Sequence, residues 1–255
     1  MPQAVVINPN TSPAMTAEIR RTAERVFQAP WTVSVAAAPA GPESLESWRD
    51  YQLAGVAVLP LLAEHPGADG YVLACFGDPG LYALKEICPA PVVGIAESAM
   101  SLALLLGARF GILAGMGRAV ELMDSLVRGY GLESRYAGSA ALNLRVLNFD
   151  DDRPATLAAL QRSALELRAR GADVLLLGCA GLTGFAAELR ERVQMTVIDP
   201  LEAGCRALQA ISSMGLSVSH AGIYAQPAPQ RMRDLARLFS PEMAAILKSW
   251  EQNQP

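Results

Sequence analysis

Apolar and polar positions along this chain alternate between two periods. Short apolar runs at residues 4–7, 31–38, 71–74 and 91–95 read as buried strands, each followed by a stretch with helical spacing. The first such stretch shows it clearly. Thr11 or Ser12 can cap a helix that accepts Pro13 in its first turn, and Met15, Ile19, Ala23 and Val26 then make one apolar face. Helices are expected over 45–64, over a segment from Pro79 carrying Leu81, Leu84 and Lys85 and stopping before Pro89, and over 97–107. From Arg109 the pattern restarts: strand FGILA, helix 118–130, a strand region within 133–147, then a helix opened by Asp150 to Asp152 and Pro154 and closed by Gly171. A strand before Cys179, a helix near 185–192, a strand at 195–198 and a helix at 200–213 complete it. Strands alternating with helices predict an α/β fold whose mainly parallel sheets are covered on both faces.

The two halves echo each other. Residues 68–80 read ADGYVLACFGDPG and residues 172–184 read ADVLLLGCAGLTG. Asp69 falls on Asp173 and Cys75 on Cys179 at an offset of 104, and Val92-Val93 falls near Val197-Ile198 at 105. This order predicts two homologous α/β units. A lone cysteine ending a core strand is usually a small buried hydrophobe, but two in equivalent places need another account. Ligands of open α/β sheets sit beyond the carboxyl ends of the strands, so both thiols are expected to face one cleft. Cys88 and Cys205 do not match under the offset and read as packing residues.

Composition narrows the classes. With 51% hydrophobic and 18% charged residues, the 255-residue chain can bury substantial cores. A net charge of −4 and no basic stripe argue against a nucleic-acid partner. The longest apolar run, 99–108, is too short to cross a bilayer, and no secretion signal precedes the first strand, so a reducing, cytoplasmic setting with free thiols is expected. His65 and His220 lack metal-ligand spacing. Gly115-Met116-Gly117 is followed by Val120 where a dinucleotide loop would place glycine, and Arg135 stands where an acid is expected. Lys85 and Lys248 lie in no recognisable Schiff-base pocket.

VINPNTSPAMT at the start, ACFGDPGL around Cys75, PVVGIAESAM, RFGIL, and LGCAGLTGF around Cys179 resemble the hydantoin and allantoin racemases of the aspartate/glutamate racemase superfamily, over roughly residues 4–226. The resemblance implies two pseudo-symmetric domains, 1–96 with 216–255 and 97–215, with the C-terminal segment returning to the first. It also implies an active site in the interdomain cleft, a small-molecule substrate, no cofactor and a homo-oligomer. Ser44-Leu45-Glu46 matches a family stretch, whereas the SWRDY that follows departs from it.

The chemistry this implies is inversion of a carbon acid at C5 of a hydantoin-type ring, either a 5-substituted hydantoin or allantoin. One base removes a proton while an acid on the opposite face returns one, roles that Cys75 and Cys179 would exchange. Helices beginning at Asp78-Pro79 and near 181–184 are expected to favour the thiolates, with Asp78 capping its own helix. Asn8, Asn10, Thr11, Phe76, Gly117, Arg118, Ala180 and Gly181 are the candidate substrate-binding residues, at strand ends and helix starts; Asn8 and Asn10 also suit loop and capping chemistry. Glu97, Glu202 and Asp199 read as helix-start carboxylates. An aspartate/glutamate-type racemase is the first alternative, although GCAGL lacks the threonine those enzymes carry after the cysteine. A maleate isomerase or arylmalonate decarboxylase-like enzyme, or a ligand-binding module without chemistry, completes the set.

Overall fold

A computed structural model describes residues 1–149 and 151–225; Asp150, Lys248 and most of the expected C-terminal return lie outside them. Two four-stranded parallel sheets carry the fold. The first joins β1 (Gln3–Asn8), β2 (Thr32–Ala37), β3 (Gly70–Leu73) and β4 (Val92–Gly94) in the order β2-β1-β3-β4. The second joins β5 (Phe110–Ala114), β6 (Tyr136–Ala141), β7 (Val174–Leu177) and β8 (Thr196–Ile198) in the order β6-β5-β7-β8. Each half thus places its cysteine-bearing strand at the same position.

The repeated Ala-Asp turn has a mechanical reason. Asp69 accepts the Gln3 N–H at 2.7 Å, and Asp173 accepts those of Ala108 and Arg109 at 2.8 and 2.9 Å. Both carboxylates satisfy backbone donors where the neighbouring strand begins, which helps fix its register. Beyond the turns, β3 and β7 are buried along their whole length, as continuous apolar runs require in a sheet covered on both faces.

Helices begin at the expected caps. Ser12 rather than Thr11 caps α1 (Pro13–Val26), accepting the Met15 N–H at 3.3 Å, and Asp152 caps α7 (Arg153–Ala169) at 3.0 Å. The single helix expected over 45–64 is instead two, α2 (Trp48–Ala57), capped by Ser47, and α3 (Leu59–Glu64). Pro60 has no N–H to continue the ladder and its ring crowds the preceding turn, so the chain breaks at Val58. The region 133–147 holds only one strand, β6, flanked by 3-10 turns.

The helices α4 (Leu81–Ile87), α6 (Gly117–Gly129) and α8 (Ala186–Val193) lie near their own strands, whereas α5 (Ile95–Leu106) and α9 (Pro200–Ser213) cross over. After leaving the first sheet, α5 buries Ala99, Met100 and Ala103 against Phe110, Ile112 and Leu176 of the second. After leaving the second, α9 buries Leu201, Cys205 and Leu208 with Val6, Ile19, Val72 and Val93 of the first half. The crossing helices also pack on each other, where Gly204 has no room for a Cβ beside Ile95. A cut at residues 96 and 215 would separate α9 from the sheet it covers. Beyond α9, Ser217 donates to the Pro89 carbonyl at 3.0 Å and Tyr224 lies 6.2 Å from Tyr82, both in the first half.

Candidate active site

Cys75 follows β3 and Cys179 follows β7 by one intervening residue each, Ala74 and Gly178. Both thiols line one cavity of about 40 Å³. That is room for a few waters, well short of a substrate ring. Its walls come from both halves: Asn10, Ala74 and Phe76 from the first, Gly115, Met116 and Ala180 from the second. Leu45, Glu46 and Tyr51 bring in the segment around the start of α2.

The candidate binding residues separate on inspection. Asn10, Phe76 and Ala180 line the cavity with the thiols, and the Gly181 N–H donates to Cys179 Sγ at 3.4 Å. Asn8 sits behind, fully buried, donating to Asn10 Oδ1 at 3.0 Å and to Thr16 Oγ1 at 2.9 Å. Three candidates lie elsewhere. Thr11 bonds to the 41–42 loop, its N–H donating to the Pro42 carbonyl at 3.1 Å. Gly117 and Arg118 start α6 on an exposed surface, where Arg118 lines a separate, open pocket of about 580 Å³ with Trp48 and Arg49. The helix start turns both residues outward and leaves Met116 and Ala119 facing the thiols.

Leu45 and Glu46 belong to the stretch that matches the family, whereas Met15, Tyr51, Met116, Ala119, Met123 and Val146, with the small residues Ala74, Gly115 and Gly178, were not among the candidates for the lining. Met15 was legible only as one residue of an apolar helical stripe. Tyr51 carried one signal, its place in the departing SWRDY stretch. Its hydroxyl donates to the Phe76 carbonyl at 3.4 Å and also meets the Cys75 thiol. Gly77 makes this possible, because a Cβ there would stand 1.8 Å from the Tyr51 ring.

Both thiols are held in the neutral form. Burial pushes Cys75 well above its ordinary range, helped by the nearby Cys179 and Asp78 and opposed only by the Tyr51 hydrogen bond. Burial also raises Cys179, to about 11, against the N–H groups of Gly181 and Leu182. The expected helix-start assistance therefore reaches Cys179 and not Cys75. Around Cys75 the N–H groups of Gly77 and Asp78 turn back onto the Cys75 carbonyl, at 2.9 and 3.1 Å, and α4 begins only after Gly80.

Asp78 does not cap its own helix as expected. It adopts a left-handed backbone with φ of 44° and reaches across to the start of α5, accepting the N–H groups of Ala96 at 3.1 Å and Glu97 at 2.9 Å. The Tyr130 hydroxyl donates to it at 2.6 Å. Asp199 caps its own helix α9 through the N–H groups of Leu201 and Glu202, and accepts from the Thr183 hydroxyl at 2.7 Å. Glu97 accepts the Gly94 N–H at 3.0 Å and pairs with Lys85 at 2.7 Å, while Glu202 pairs with Arg25 at 2.6 Å, both at helix starts as expected. Among the described residues no cluster of three or more His, Cys, Asp and Glu could hold a metal, and no helix is long and apolar enough to cross a membrane.

A family model described as Asp/Glu/Hydantoin racemase matches residues 5–208. The chain is 36% identical to a hydantoin racemase of Paenarthrobacter aurescens, over 89% of this chain and 98% of that protein. Among solved structures it matches an allantoin racemase from Klebsiella pneumoniae at 32% identity and a TM-score of 0.86, covering 94% of this chain and all of that one. An allantoin racemase from Pseudomonas fluorescens gives 30% identity and a TM-score of 0.87 over 90% and 99%. Matched over most of its length by model, sequence and structure alike, the chain belongs to the Asp/Glu/hydantoin racemase family, a family of isomerases.

Proposed function

We propose that this protein inverts the C5 stereocentre of a hydantoin-type ring, a 5-substituted hydantoin or the 5-ureidohydantoin allantoin, using Cys75 and Cys179 as its two acid/base groups without a cofactor. The observation that carries this reading is that thiols from repeat-equivalent positions line one cavity. One thiolate takes the C5 proton and becomes a thiol. The electron pair passes into the adjacent carbonyl as an enolate, and the opposite thiol returns a proton to the other face, becoming thiolate in turn. Product and reactant differ only in hand, so the thiols end with exchanged states.

The surroundings support a neutral ring. Among the described lining residues Glu46 is the one charged side chain, and no cation faces the thiols to meet the carboxylates of aspartate or glutamate. Asn10 Nδ2 donates at 2.8 Å to the Met15 thioether, a weak acceptor that a substrate carbonyl or enolate oxygen can replace. Small-molecule sites generally need about 300 Å³ or more, so binding displaces a wall of this cavity. Desolvation keeps the thiolate scarce at both cysteines in the substrate-free protein.

The test is to incubate single enantiomers of allantoin, benzylhydantoin, aspartate and glutamate in D₂O, following optical rotation and deuterium at the stereocentre. A hydantoin is expected to lose rotation and gain one solvent deuterium at C5. Exchange of the amino acids alone would move the assignment to an amino-acid racemase, and exchange of none would overturn it.

A further inference from the structure

The Cys75 loop carries a buried carboxylate and the Cys179 loop does not. At the offset of 104 that aligns the cysteines, Asp78 falls on Leu182, one residue before Thr183, and at the offset of 105 that aligns the following strands, Gly94 falls on Asp199. Each half builds the same cap at the start of its crossing helix, but the carboxylate comes from opposite sides. In the first half it extends from the cysteine loop, and Gly94 leaves it room, since a Cβ there would lie 2.3 Å from the Asp78 carboxyl carbon. In the second half it belongs to the strand end at Asp199, and the cysteine loop contributes donors to it, the Thr183 hydroxyl and the Gly184 N–H. Above about pH 7, where Asp78 ionises, negative charge thereby stands three residues from Cys75, whereas the apolar Leu182 stands at the matching place after Cys179 and the neutral Thr183 hydroxyl follows it.

We propose that Asp78 is a positioning residue that sets the resting proton distribution of the thiol pair, keeping the proton on Cys75 and leaving Cys179 as the thiol that ionises first. This rests on the two-thiol reading above. The hydrogen-bond partners of the Asp78 oxygens, Ala96 N–H, Glu97 N–H and the Tyr130 hydroxyl, are all donors, the set that suits a carboxylate. Tyr82 and Glu97 also face Asp78, with the Glu97 charge met by Lys85. Cys75 is faced by the Tyr51 hydroxyl, by Cys179 and by Asp78, and Cys179 by Glu46 and the N–H groups of Gly181 and Leu182. Tyr51 and the two N–H groups each help their own thiolate; Cys179 and then Asp78 work against the Cys75 thiolate, and Glu46 works against that of Cys179. The enantiomer whose C5–H points at Cys179 then meets the base directly, while its mirror image requires the proton to move first.

Alkylation of the substrate-free, full-length protein tests this, because both thiols line one cavity and both are half-buried. Iodoacetamide labelling of Cys75 and Cys179, read by peptide mass spectrometry from pH 6 to 10, is compared in wild type, Asp78→Asn and Tyr130→Phe. Wild type is expected to label Cys179 about tenfold faster than Cys75, and Asp78→Asn to raise the Cys75 rate about tenfold, one pKa unit, with Cys179 changed by less than about twofold. Tyr130→Phe removes a bond that favours the charged carboxylate, so Cys75 labelling rises in the same direction, and this variant carries the test if Asp78→Asn fails to fold. Faster labelling of Cys75 alone supports the assignment. No change at Cys75, or equal acceleration of both thiols through general loosening, overturns it. Labelling needs no turnover, so a shifted ratio in a protein that exchanges no substrate would sink the racemase reading alone, and an unshifted ratio in an active racemase would sink only this one.

Discussion

The two halves of the molecule share strand order, an Asp-anchored turn and a cysteine beyond a central strand, and they diverge in the residues around each thiol. The Cys179 side is a turn of backbone donors, with Gly181 bonded to the sulfur. On the Cys75 side those donors fold back onto a carbonyl, a tyrosine hydroxyl takes their place, and Asp78 threads to the start of α5. The cap geometry is preserved because a helix start leaves N–H groups that must be satisfied whichever strand or loop supplies the oxygen. The donor of that oxygen is free to change, and with it the electrostatics of the neighbouring sulfur.

Three measurements press on this comparison. The largest effect is expected from Cys75→Ser and Cys179→Ser, each lowering racemization of a hydantoin by about 10³-fold, within the range of one lost acid/base group. Full activity in either would break the pairing of the halves. Next comes pH. Burial, only partly opposed by the Tyr130 bond, pushes Asp78 up to about 7, so the folded protein keeps a proton that the unfolded chain releases near pH 4. Stability from this group is therefore full below about pH 4 and declines as pH rises to about 7, by up to about 4 kcal/mol. Denaturant titrations across that window should show a shallower decline in Asp78→Asn than in wild type. The smallest pair concerns the swapped carboxylates. Gly94→Ala should cost about 2–3 kcal/mol in chemical denaturation by expelling Asp78, and Asp199→Ala about 1–2 kcal/mol as an ordinary cap loss. Equal costs would blur the distinction between the two caps.

Much of this architecture was legible in the sequence, because buried parallel strands must be continuously apolar and helix starts need oxygen donors. The runs before Cys75 and Cys179, the cap-plus-proline starts at Ser12, Asp152 and Asp199, and the constant repeat offset all report such local needs. What stayed hidden depends on tertiary reach. Nothing near Asp78 in the chain says that its carboxylate serves α5, since the space it enters exists only where Gly94 lies beside it. The direction of α6 turned Gly117 and Arg118 outward by the fraction of a helical turn that spacing alone does not fix. Tyr51 reaches the thiols from a helix whose start the apolar pattern blurred into a longer one.

The exchange of α5 and α9 between the sheets has a consequence for folding. Neither half contains all of the apolar surface it needs: a fragment ending at residue 94 lacks the helix bearing Leu201, Cys205 and Leu208, and one beginning at Arg109 lacks Ala99, Met100 and Ala103. Duplicated though it is, the chain is built to form its two sheets as one cooperative unit, and the cysteines acquire their common cavity only when that joint event is complete.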